Sequence, residues 1–239
     1  MVVRRNTSLF LSHHTVWLPK WWVALLITII AVSLLWIGLK NMSSYLAVSE
    51  PKHGNYLVVD GWLNKNNLKQ ALDIFRHPDN RYTYLITIGG PDILNQNIEA
   101  LTYAEQSAKF FRSNGVDEKK IIIISTPHSA QDRTYLSAVK LREWFYKEEK
   151  QNSVIDVFTS AVHARRTLFL YNLAFRSKIN IGVYAAEPVN FSLKTWWKTS
   201  QGAKTTVTEF LAYLWTILFF SPGEYGSHQE RWGVEKSAR

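Results

Sequence analysis

The chain has 239 residues, 46% of them hydrophobic and 20% charged, with a formal net charge of +9 and no cysteine. That length allows one domain of ordinary size plus an anchor, and the missing cysteines exclude disulfides, thiolate metal sites and cysteine nucleophiles. The positive balance, +3 over residues 1–50 and +6 over the remainder, points to anionic partners. No nucleic acid is expected among them, because a translocated domain does not meet it, whereas anionic lipid headgroups and phosphorylated small molecules are close at hand.

Residues 21–39 carry no charge. As a helix they extend about 29 Å, roughly the hydrocarbon thickness of a bilayer, and Trp17, Trp21 and Trp22 at one end with Trp36 near the other fit interfacial belts. A cleaved signal peptide is the competing reading, since Arg4 and Arg5 precede the stretch. Its length and the lack of a small-x-small site in Leu39-Lys40-Asn41-Met42 favour a retained single-pass transmembrane anchor. Arg4, Arg5 and Lys20 before the span, against Lys40 and Lys52 after it, put residues 1–20 in the cytoplasm and the rest outside it.

Residues 40–54 read as a linker, and an alternation then begins. Short apolar runs at 56–60, 82–88, 121–125, 154–159 and 179–185 are separated by amphipathic, helix-length runs at 68–75, 98–114, 134–146 and 164–175. Strand and helix in strict turn predict an α/β domain over 55–190, a Rossmann-like three-layer sandwich with a parallel sheet of about five strands. Gly115 reads as a helix stop and Asp132 as an N-cap. Over 191–239 a C-terminal amphipathic helix and tail are expected: Thr206 and Glu209 have capping-box spacing, and apolar residues then recur at helical intervals from Phe210 to Phe220. This helix either packs on the domain or lies, with Trp196, Trp197 and Trp215, at the membrane surface.

Loops after the C-terminal ends of parallel strands converge on one crevice. Here those loops hold Asp60-Gly61-Trp62, Gly89-Gly90-Pro91-Asp92, the run from Ser125 to Tyr135 containing Asp132, Arg133 and Thr134, and the run from Ser160 to Arg166 containing His163, Arg165 and Arg166. A basic helix start after a strand is suited to an anion, above all a phosphate, since its first N–H groups lack partners and the dipole is positive there. Gly89-Gly90 is a turn or a place of close backbone approach. Arg133 either pairs with Asp132 or meets a ligand; His163 and Arg166 share a helix face from which Arg165 points away. Glu105 lies on the helix after the second strand, where a solvated face is its ordinary setting. Asp60, Asp92 and Asp132 form a weak Mg²⁺ candidate set; no metal site, cofactor or catalytic residue is assigned, because the chain lacks a Walker-A loop, a G-x-G-x-x-G, an H-E-x-x-H and a G-x-S-x-G elbow.

Between Asn55 and Ala185 these features resemble the SanA/YdcF/ElyC family of bacterial envelope proteins, which contain a YdcF-like domain of unknown function. The resemblance is carried by the strand ending at Asp60-Gly61, Gly89-Gly90, Ala104-Glu105, Gly115-Val116, Arg133-Thr134-Tyr135 with Ala138, and Thr159-Ser160-Ala161 with His163 and Arg165-Arg166; the N-terminal anchor matches as well. Commoner members read Ser-x-Asn-Thr and then Glu-Asn-Ala after the third strand, where this chain has Gln131-Asp132-Arg133-Thr134 and Leu136-Ser137-Ala138. Asp132 to Tyr135 and His163 to Arg166, with the Trp196-Trp197 and Glu209 to Tyr213 tail, look like one subgroup. The resemblance implies a Rossmann-like fold, residence in the bacterial inner membrane and a role in cell-envelope biogenesis, including peptidoglycan or lipid-carrier metabolism.

The expected function is a membrane-anchored, extracytoplasmic domain that binds a phosphorylated lipid-linked or nucleotide-like cell-wall intermediate, with action on it left open. Arg133, His163 and Arg166 would hold the anion, Gly89-Gly90 would offer backbone donors, and Glu105 or Asp132 would orient them or a metal. A non-catalytic binding or scaffold module of an envelope assembly complex is the alternative, and a cytosolic nucleotide-binding domain the third reading.

Overall fold

The computed structural model describes residues 19–92, 101–127 and 132–232. Arg4, Arg5, Trp17, the expected beginning of the second amphipathic run at 98–100, and Gln131 lie outside them. The chain divides into two units, Met1–Leu39 and Lys40–Arg239. Helix α1 (Trp21–Leu46) is long and apolar enough to cross a membrane, and most of its side chains through Leu39 are exposed. It runs on through residues 40–46, which were expected to be linker, and within the second unit Met42, Ser43 and Leu46 are buried.

The second unit is built on five strands, β1 (Tyr56–Asp60), β2 (Tyr84–Gly89), β3 (Ile121–Ser125), β4 (Val154–Ser160) and β5 (Asn180–Ala186). All pair in parallel, in the order β3-β2-β1-β4-β5. Strand side chains alternate between faces. Tyr56 and Val58 join Phe145, Tyr171 and Phe175 on one side; Leu57 and Val59 join Leu68, Ala108 and Phe111 on the other. Helices α4 (Arg133–Lys147) and α5 (Ala164–Phe175) therefore cover one face, and α2 (Lys65–Arg76) and α3 (Tyr103–Ser113) the other. This is the three-layer, Rossmann-like α/β sandwich expected from the alternation.

Local chemistry sets the ends of the helices. Asp132 caps α4 by accepting from the backbone N–H of Thr134 at 2.9 Å and of Tyr135 at 3.2 Å, and Gly115 follows the C-cap of α3, Asn114. Strand β2 begins at Tyr84 rather than Tyr82, because Tyr82 turns inward and its hydroxyl donates to Asp156 at 2.7 Å. The Asp156 carboxylate also accepts from the backbone N–H of Lys52 at 2.5 Å and of Gly54 at 3.0 Å. A Cβ on Gly182 would stand 2.0 Å from Asp156 Oδ1, so only glycine leaves room for this clamp. Glu50 also bridges to Val183. The segment ahead of β1, read from sequence as linker, is thus tied to the sheet.

Beyond β5, a 3-10 segment (Leu193–Lys198) leads into α6 (Ser200–Leu218), and α7 (His228–Trp232) follows. The capping box expected at Thr206 and Glu209 is not formed. The N-cap is Thr199, whose hydroxyl accepts from the backbone N–H of Gly202 at 3.1 Å, so Thr206 and Glu209 lie inside the helix. Residues after Thr199 are mostly polar, which hid the first turn from a reading based on apolar periodicity. Buried Arg142 on α4 holds α7 through a two-pronged bond to Glu230, 2.7 Å at each contact.

Candidate functional site

The strand order reverses between β1 and β4, so the chain leaves these neighbours in opposite directions and a crevice opens at their C-terminal ends. It is a cleft of about 720 Å³. Asp60 and Trp62 enter it from the end of β1, Gly89, Gly90 and Tyr103 from the β2–α3 side, Asp132, Arg133 and Thr134 from the start of α4, His163 and Arg166 from the start of α5, and Glu209 and Trp215 from α6.

At its centre is a polar network. The guanidinium of Arg166 donates through Nε to Glu209 Oε1 at 2.6 Å and through Nη1 to Asp132 Oδ2 at 3.0 Å. His163 Nδ1 lies 3.0 Å from Glu209 Oε1 and 3.1 Å from Arg166 Nη2. A guanidinium only donates and an ionised carboxylate only accepts, so the two compete for Nδ1: Glu209 calls for a proton there and Arg166 Nη2 for a lone pair. His163 Nε2 lies 3.3 Å from the hydroxyl of Thr134 at the cleft wall. The indole of Trp62 meets the imidazole edge-on, ring centroids 5.5 Å apart.

Burial acts on each charge here. It raises the carboxyl of Glu209, but His163 and Arg166 outweigh it and hold Glu209 below its ordinary range. Burial disfavours the Arg166 cation, and Glu209, Asp132 and Asp60 more than restore it. Asp60 shows the opposite balance: desolvation pushes it up, and His163, the hydroxyl of Thr159 at 2.5 Å, Arg166 and Trp62 do not fully offset this. Asp60 is thus held toward its neutral form beside an ionised pair, the kind of divergence that accompanies acid–base sites.

The sequence candidates divide. Asp60, Gly89, Gly90, Asp132, Arg133, Thr134, His163 and Arg166 reach the cleft, although Arg166 is engaged by two carboxylates. Glu105 does not: its carboxylate closes a capping box, accepting from Thr102 N at 2.7 Å and Thr102 Oγ1 at 2.8 Å. Nor does Arg165, which donates to the carbonyl of Tyr45 at 2.5 Å and stacks on the Tyr45 ring. Asp132 pairs with Arg166 rather than Arg133. Exposed Arg133 has no carboxylate within salt-bridge distance among the described residues. The closeness at Gly89-Gly90 is to the protein itself: a Cβ on Gly90 would lie 2.9 Å from Thr126 Oγ1. The backbone carbonyls of both glycines accept, from Thr126 and Tyr103. Asp92 accepts from the Tyr103 hydroxyl at 2.8 Å, and among the described residues no group of three acidic or imidazole side chains is placed to hold a metal ion.

Glu209 was not foreseen as a site residue. Its nearest partners, His163 and Arg166, are 46 and 43 residues away in sequence, and the one available signal was a lone carboxylate in a helix whose other charge is Lys204. No protein-family model, curated protein or solved structure matches the chain.

Proposed function

We propose that the cleft binds a phosphate-bearing amphiphile of the cell envelope and that His163 exchanges a proton with it, in a protein anchored to the bacterial inner membrane with this domain on the outer side. The observation that carries the reading is the state of the charges. Asp132 and Glu209 are engaged by Arg166, Asp60 is held toward neutrality, and Arg133 stands outside these pairs at the first turn of α4. An anion docked there meets the guanidinium of Arg133. The aromatic side chains of Trp62, Tyr103 and Trp215 give the same cleft apolar walls for a ligand with a greasy part.

His163 is held at Nδ1 by Glu209 and Arg166, which leaves Nε2, beside the Thr134 hydroxyl, as the atom to exchange a proton with a ligand. The envelope setting rests on the SanA/YdcF/ElyC resemblance. The engagement of Arg166 by protein carboxylates favours one further reading, a binding module without turnover.

Calorimetry of the solubilised full chain with a short-chain prenyl phosphate tests the binding. Loss of one charge-assisted contact in Arg133→Ala weakens it by about 1.5–3 kcal/mol, roughly tenfold to hundredfold, and unchanged affinity refutes the reading. Release of inorganic phosphate that disappears in His163→Gln separates an enzyme from a binding module.

A further inference from the structure

Helix α6 carries apolar residues on two sides: Ala203, Phe210 and Tyr213 pack toward the domain, and a second stripe faces away from it. A helix covering a water-soluble domain turns its apolar stripe inward. The residues of α6 buried against the domain are Gly202, Thr206 and Thr216, with Glu209 reaching the cleft on the same side. On the opposite side Val207, Leu211, Trp215 and Leu218 recur at helical spacing, and they are 43%, 60%, 51% and 69% exposed, with Phe219 following at 70%.

Charge and connectivity identify what covers this stripe. Over residues 191–220 the charged side chains are Lys194, Lys198, Lys204 and Glu209; the three lysines are exposed, whereas Glu209 faces inward to His163 and Arg166. The outward side of this segment is therefore apolar and its own exposed charges are all positive, which suits an anionic bilayer interface. The helix also lies beside the residues that directly follow the apolar stretch of α1. Met42 and Leu46 bury with Trp196, with Phe210 and Tyr213 packed against them, and the rings of Tyr45 and Tyr213 meet at 6.2 Å.

We infer that the Val207–Leu211–Trp215–Leu218 stripe of α6 lies in the bilayer interface and opens the cleft to ligands held in the membrane. Trp215 belongs to both places, exposed on the stripe and lining the cleft. Resting on the phosphate-binding reading above, the inference narrows the substrate class to a phosphorylated lipid presented from the bilayer rather than from solution.

The chain has no cysteine, so one label site can be introduced at a time. Leu211→Cys, Leu218→Cys and, as an exposed reference on α2, Lys69→Cys are each labelled with a polarity-sensitive fluorophore in the full chain. The protein is then reconstituted into vesicles of phosphatidylglycerol and phosphatidylethanolamine containing brominated lipid. Labels at 211 and 218 are expected to shift to the blue and to be quenched at a depth of about 5–10 Å, while the label at 69 stays aqueous. Aqueous labels at 211 and 218 overturn the inference, as does a blue shift that depends on protein concentration and not on bromine, which would mean a second copy covers the face. Affinity for a soluble prenyl phosphate is measured separately, so a cleft that fails to bind and a face that fails to insert are told apart.

Discussion

The buried pair that fastens the C-terminal helix gives the sharpest stability test. Arg142 and Glu230 have side chains 3% and 2% exposed. Glu230 takes both prongs of the guanidinium, accepts from the Tyr135 hydroxyl at 3.2 Å, and receives the backbone N–H of Gly226 at 2.6 Å. In Glu230→Ala the guanidinium keeps the carbonyl of Ala174 and the Tyr225 ring beneath it but loses its counter-charge. Breaking a buried pair in this way costs about 3–5 kcal/mol. At about 2–4 °C per kcal/mol for a domain of this size, thermal unfolding of the full chain in detergent falls by roughly 6–20 °C. Replacing both partners, Arg142→Met with Glu230→Leu, removes the charge and its orphan together and recovers most of that loss. If the double variant is as unstable as the single one, the uncompensated charge is not the cause. The pH dependence has a definite sign: burial raises the carboxyl of Glu230, but Arg142, Gly226 and Tyr135 overcome it, so the folded value lies below the ordinary 4.5. Its contribution is present above that ordinary value and is lost as pH falls through the folded one, so the wild type and Glu230→Ala converge in acid.

Asp60 predicts the opposite slope. Because its folded value lies above the ordinary 3.8, the native state binds the proton more tightly, and stability falls as pH rises from 3.8 through the folded value. Asp60→Asn keeps an acceptor for Thr159, removes that slope and leaves stability at neutral pH equal or higher; denaturant titrations at a series of pH values that show a loss above about 1 kcal/mol at pH 7 would contradict it. Asp132→Ala removes the cap of α4 and lowers stability by about 1 kcal/mol, while Asp132→Asn keeps the acceptor and most of the stability; equal losses in the two variants would mean that the ion pair with Arg166, not the cap, is what Asp132 contributes.

The layered fold was legible because two periodicities alternate without interruption. The β-branched run from Ile121 to Ile124 and the apolar repeats of α4 and α5 each match one template. Convergence of Asp60, Arg133, His163 and Arg166 followed from parallel topology alone, since every strand ends on the same edge. What stayed hidden was pairing across long sequence distance. Arg166 read as a free cation because Glu209 was assigned to a cap, and Glu105 read as a solvated carboxylate because the Thr102 hydroxyl that it faces is recognised as a cap only when the start of α3 is known. Residues 40–54 read as linker because nothing local announces that Asp156, a hundred residues on, binds their backbone.

The cleft takes one wall from outside its sheet, and this sets an order in time. Synthesis proceeds from the N-terminus, so the last strand, ending at Ala186, is complete before α6 has been made. The strand ends bring Asp132, His163 and Arg166 together, but the carboxylate that meets His163 and answers Arg166 lies on a helix that follows the whole sheet in the chain. A chain truncated before residue 200 would keep all five strands of the sheet and lack Glu209 and Trp215 of the cleft wall.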